Sequence, residues 1–214
     1  MVSANDVASV ILSRRGPWMD AMTLQKLLYY VQAWHLAVTD EPLFSEHFKA
    51  YKDGPVLPQV RHARMDKASR RATAQELSGI SIDQIASDII DQVLATYGSM
   101  SGQELSALTH VEHPWLEARH GLPVDAPSNE PISEVTMAQF YRANRFLGGR
   151  TAADLAVGGV HVRPAGQTGH DAVDVDALLA ELPEYETENP WGSTNLAAVS
   201  RNPAEAGSRG SAEG

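Results

Sequence analysis

The chain has 214 residues, 43% of them hydrophobic and 21% charged, with no cysteine and a net charge of −10. That composition supports one real core plus an appendage, and it excludes disulfides, thiolate zinc sites and cysteine nucleophiles while fitting a reducing cytoplasm. Residues 151–214 hold 3 Lys/Arg against 10 Asp/Glu, a balance of −7, and residues 1–150 hold 14 against 17, a balance of −3; the near-neutral body argues against a dedicated nucleic-acid binder.

Asn5 or Ser3 can cap a first helix, Asp6 to Arg15, which Gly16-Pro17 stops. Asp6 comes early and the arginines late, the reverse of a signal peptide. Thr23 can cap a second helix running to about Val38, with Leu24, Leu27, Leu28, Val31, Trp34, His35 and Val38 on one face. Tyr29 and Tyr30 are about 100° apart on a helix, so one of them is expected to reach the surface. Leu43 to Tyr51 reads as extended chain with one short hairpin, and Asp53-Gly54-Pro55 as a turn.

A helix from about Val56 to Met65 follows, then a polar segment, Asp66 to Gly79. Ile82, Ile85, Ala86, Ile89, Ile90, Val93, Leu94 and Tyr97 match the helical template without a gap, between Ser81 as cap and Gly98 as stop. Ser101 and Glu104 spell a capping box for a helix carrying Leu105, Leu108 and Val111. Pro114 starts a short helix, residues 121–131 form a loop, and Ser133 caps a last helix offering Val135, Met137, Phe140, Tyr141 and Phe146 to the core. After Gly148-Gly149 the chain turns acidic and low in order, with Val160-Val162 as a short strand, Val173-Leu182 as a short helix and 193–214 as disordered. The expected fold is therefore mainly α, five to seven helices with a minor hairpin, in a domain over 1–150 followed by an extension over 151–214.

Few residues carry chemistry. His110 and His113 are one helical turn apart with Glu112 between them, but a metal site needs a further ligand that spacing does not supply, so no metal and no cofactor are expected. No Gly-x-Ser-x-Gly elbow and no phosphate-cradling loop exist. The basic run Arg61, Arg64, Lys67, Arg70 and Arg71 lacks interleaved aromatics and is a weak footprint for nucleic acid.

Three blocks together resemble a known family. Thr23-Leu24-Gln25-Lys26-Leu27-Leu28-Tyr29-Tyr30 with Trp34-His35-Leu36 resembles the opening signature of the Panacea domain, found in phage-associated GepA-like and SocA-like proteins. Pro42-Leu43-Phe44 with Ala50-Tyr51-Lys52-Asp53-Gly54-Pro55-Val56 resembles its second block. Glu104-Leu105-Ser106, Leu108-Thr109-His110 and His113-Pro114-Trp115 resemble its third. The resemblance spans about residues 5–147; Asp53 stands where an aromatic is common, and the chain from 151 lies outside it.

The resemblance implies an antitoxin, not an enzyme, that binds a cognate toxin encoded beside it. The alternatives are an adaptor that delivers the toxin to a protease and a nucleic-acid-binding regulator. Leu27, Leu28, Trp34, Gly54, Pro55 and Trp115 read as architecture. The polar members of the motif, Gln25, Lys26, Tyr29, Tyr30, His35, Lys52 and Asp53, are the expected toxin contacts, with Tyr185 and Trp191 as contacts from the extension.

Overall fold

The computed structural model describes residues 2–15, 19–64 and 77–144. Among these residues there are seven helices and one hairpin: α1 (Ala4–Arg15), α2 (Ala21–Thr39), β1 (Lys49–Tyr51), β2 (Gly54–Val56), α3 (Pro58–Arg64), α4 (Gln84–Tyr97), α5 (Gly102–Val111), α6 (His113–Ala118) and α7 (Glu134–Ala143). The mainly helical class expected from periodicity is the one observed. The strand and helix expected near 160 and 173–182, the boundary at 150, Phe146, Tyr185 and Trp191 all lie outside the described residues.

The fold is built around α2, which packs against α1, α3, α4, α5, α7 and β2. Every residue from Thr23 to Ala37 is buried. A helix with neighbours on all sides has no solvent face, which corrects the expectation that Tyr29 or Tyr30 reaches the surface. Tyr30 stacks on Tyr97 with ring centres 4.0 Å apart, and Tyr29 meets Tyr30, Phe48 and Tyr141 edge-on, the arrangement that aromatic quadrupoles favour. Asp20, not Thr23, caps α2, its carboxylate accepting from the Thr23 N–H at 2.9 Å, so the helix starts three residues earlier than expected. Asp40 ends it at φ 63°, with its N–H on the Leu36 carbonyl, a left-handed position that short polar residues tolerate.

Four further helix starts follow side-chain oxygens. Ser3 and Asp6 cap α1 reciprocally, Asp83 instead of Ser81 caps α4, Ser101 and Glu104 complete the expected capping box on α5, and Ser133 caps α7. Starting at Gln84, α4 buries Ala86, Ile89, Ile90, Val93 and Tyr97, and Ile85, about 100° off that face, is half exposed. Val135 is likewise 65% exposed because α7 turns only Met137 and Tyr141 fully inward. Val111, also expected inside, is exposed.

The hairpin lies later than the extended segment suggests. Antiparallel β1 and β2 pair Lys49 with Val56, Ala50 with Pro55 and Tyr51 with Gly54, leaving Lys52-Asp53 as the turn. The outer edge of β1 is covered by residues 130–132: Ala50 donates to the Glu130 carbonyl and Ile132 to that of Phe48. Among the described residues no helix is long and apolar enough to cross a membrane.

Candidate functional site

The polar residues of α2 point into the protein and bond to the backbone of the segment that follows the helix. Buried backbone groups must be paired, and the chain between α2 and α3 is mostly irregular. Gln32 serves its first part, donating to the Phe44 carbonyl at 2.9 Å and accepting from the Leu43 N–H at 3.0 Å. Gln25 serves its last part: its oxygen accepts from the Leu57 N–H at 2.7 Å and its amide nitrogen donates to the Leu57 carbonyl at 3.4 Å.

Lys26 serves the hairpin between them. Its Nζ donates to the carbonyls of Asp53 at 2.5 Å and Pro55 at 3.2 Å, reaching across Gly54. Gly54 has φ +95°, and a β-carbon there would lie 2.7 Å from Lys26 Nζ and from Thr109 Oγ1. Both the backbone conformation and the close approach therefore require glycine. Burial pushes the Lys26 amino group down to about 7, against the charges of Asp53 and Asp20.

Helices α5 and α6 hold the same hairpin from the other side. Ser106 Oγ donates to the Asp53 carbonyl at 2.8 Å, the Trp115 indole N–H to the Tyr51 carbonyl at 3.0 Å, and Arg119 to the Ala50 carbonyl at 3.3 Å. The His110 ring bonds the Lys52 backbone and stacks on Trp115 at 4.1 Å. Arg119 is 2% exposed; its guanidinium carbon lies 4.6 Å from the centre of the Trp115 ring, and it donates also to the carbonyls of Pro123, Val124 and Ala126. Nothing in the local sequence marks Arg119 as buried.

The His110-Glu112-His113 grouping does not converge. His110 packs on Trp115, and burial followed by the charges of Lys26 and Arg119 pushes it down to about 3, so the ring is neutral. Glu112 joins α5 to α6 and turns its carboxyl inward, accepting from Tyr30 at 3.1 Å and Tyr141 at 2.5 Å. Burial pushes it up to about 8, opposed by those two hydroxyls. His113 is exposed. Among the described residues no three His, Asp or Glu side chains are placed to hold a metal ion. Ser106 approaches His110 Nε2 at 3.5 Å, but its single proton is committed to Asp53, so the two do not form a nucleophilic pair.

Of the seven motif residues expected at a contact surface, five are inside. Gln25, Lys26, Tyr29, Tyr30 and His35 are each 6% exposed or less. His35 bonds the Glu41 carbonyl at 2.8 Å and fixes the turn after α2, at the edge of an open groove of about 620 Å³. The polar atoms of Gln25, Lys26, Tyr30 and His35 bond internal partners, and Tyr29 is held by its ring contacts, which is why polar type alone misplaces them. Lys52 is exposed and Asp53 half exposed, side by side on the hairpin turn. Of the basic run, Arg61 lies on α3, Arg64 ends it, and Lys67, Arg70 and Arg71 fall outside the described residues.

Comparison with known proteins agrees with the blocks in the sequence. The family model for the SocA-like antitoxin, Panacea domain, matches residues 24–116, a span from the start of the buried α2 signature to Trp115 and its neighbour. Antitoxin SocA of Caulobacter vibrioides (strain NA1000 / CB15N) is 33% identical over 129 residues, covering 53% of this chain and 69% of that protein. No solved structure matches.

Proposed function

The chain belongs to the SocA-like, Panacea-domain antitoxin family, and we propose that it neutralises a protein toxin by binding it directly. The observation that carries this reading is the use made of the buried polar side chains in and beside the signature blocks. Gln25, Lys26, Gln32, Ser106, Trp115 and Arg119 direct their donors and acceptors at the backbone between Leu43 and Leu57. A side chain committed in this way builds a surface and is not left to make or break bonds. A preformed surface loses little freedom when a partner docks, and a stable complex needs a standard interface of roughly 1,200–2,000 Å².

Growth tests the proposal. Expression of the open reading frame beside this chain's own is expected to arrest cells, and co-expression of this chain is expected to restore growth with both proteins co-purifying. A neighbouring product that is harmless alone sinks it. Restoration of growth accompanied by protease-dependent loss of the neighbouring product replaces direct neutralisation with delivery to a protease.

A further inference from the structure

The hairpin between α2 and α3 is held at five of its eight residues, and just beyond it at Leu57, by side chains of the elements packed against it. Ala50 is held by Arg119, Tyr51 by Trp115, Lys52 by His110, Asp53 by Lys26 and Ser106, Pro55 by Lys26 and Leu57 by Gln25. A short two-stranded hairpin is marginal on its own in water, so this degree of fixation determines its shape. Both edges are also closed. Residues 130–132 cover β1, and β2 offers the proline nitrogen of Pro55 and a Pro55 carbonyl already taken by Lys26, with Leu57 beyond it taken by Gln25. A partner therefore cannot add a strand, and recognition falls to side chains at the turn.

The turn carries two charges with different surroundings. Asp53 is half exposed, and its carboxylate lies in the field of Lys26 beneath it. Lys52 is exposed, and its ammonium is the turn's outward charge. One cation on a body that carries a net negative balance suits a protein carboxylate better than a nucleic acid, which calls for a basic stripe.

We propose that the Lys52-Asp53 turn is the element that grips the partner, that it docks on an acidic protein surface receiving Lys52, and that Lys26 is a positioning residue acting on that contact from inside. The proposal rests on the direct-binding reading. Holding the turn in one shape removes the ordering cost of a loop contact, and an exposed cation sets the on-rate and its salt dependence.

The test uses the full chain and the purified product of the adjacent open reading frame, with affinity and association rate measured across salt concentrations. Lys52→Glu is expected to weaken binding about tenfold and to flatten the salt dependence of association, whereas Lys52→Arg and a charge change on α6, Glu117→Lys, stay near the unaltered chain. Lys26→Met leaves the surface charge of the turn in place. It is expected to keep the salt dependence of association while weakening affinity several-fold at unchanged helical content. If Lys26→Met fails to fold, Ser106→Ala, which removes only the second donor to Asp53, replaces it with the same expectation. Binding by Lys52→Glu within twofold of the unaltered chain overturns the docking element while leaving direct binding intact. Affinity unchanged in the inside variants overturns the positioning role. No binding by the unaltered chain overturns both this inference and the reading it rests on. Retention of the full chain on duplex DNA at about 0.15 M salt, abolished by Lys52→Glu, transfers the turn to a nucleic-acid partner and overturns the acidic-protein assignment.

Discussion

The Nζ of Lys26 stands 2.7 Å from the point where a β-carbon on Gly54 would sit. One residue is on the second helix and the other on the hairpin, and each accounts for the other. Glycine leaves room for a buried amino group, and that amino group holds the two carbonyls on either side of the glycine.

Gly54→Ala is therefore expected to destabilise the protein by about 2 kcal/mol or more, from backbone strain at positive φ together with the clash. Urea unfolding measures it. In the double variant with Lys26→Met the approach of Nζ is removed, but that of Thr109 Oγ1 and the strain at φ +95° remain, so the two changes should be non-additive without full recovery. Simple additivity would show that the contact does not constrain position 54.

Gln25→Ala leaves the Leu57 N–H buried without its side-chain partner, while the Leu57 carbonyl keeps the Arg61 N–H. An unsatisfied buried group costs about 1–3 kcal/mol, and the Leu57 amide should lose hydrogen-exchange protection before α4 does. Unchanged protection at Leu57 would mean that Gln25 is not its partner in solution.

Two buried titrations act on stability in opposite directions. Glu112 is raised from 4.5 to about 8, so the folded state binds more protons than the unfolded one between those values. Its contribution is complete below 4.5 and is lost as pH rises through 8. Lys26 is lowered from 10.5 to about 7; its contribution is complete above 10.5 and is lost as pH falls through 7. Unfolding curves across pH should show Glu112→Gln flattening the acidic-to-neutral limb and Lys26→Met the neutral-to-alkaline limb. An unaltered pH profile in Glu112→Gln would contradict the burial of that carboxyl.

On α7, Val135→Lys is expected to change stability by less than about 0.5 kcal/mol, and Met137→Ala to cost about 2–5 kcal/mol. The contrast follows from Val135 at 65% and Met137 at 1% exposure, and thermal unfolding of both variants checks it.

The helices were legible in the sequence wherever one local pattern decides. The run from Ala86 to Tyr97 has its period in plain view, and the Ser101-Glu104 box names its own helix start. The site was only half legible. The motif blocks marked α2, the hairpin and the α5–α6 corner as belonging together, but polarity assigned Gln25 and Lys26 to the surface. Their partners are 32 and 27 residues away, beyond any periodic window. Glu112 was grouped with His110 and His113 by spacing, yet its carboxyl answers to Tyr30 and Tyr141, 82 and 29 residues distant. Arg119 carried no local signal at all. In each case a long side chain supplies what an irregular backbone segment or a buried hydroxyl lacks, and that need exists only in the folded chain.

Hydrogen exchange on the full chain, alone and with the adjacent gene's product, tests the central claim most directly. The hairpin is expected to be ordered before the partner arrives, with slow exchange at Ala50 and Leu57 in the free chain, and the partner is expected to add protection at Tyr51 to Gly54. Fast exchange at Ala50 and Leu57 in the free chain, or partner-induced protection confined to α4 with Tyr51 to Gly54 unchanged, would contradict a surface preformed for docking at this turn.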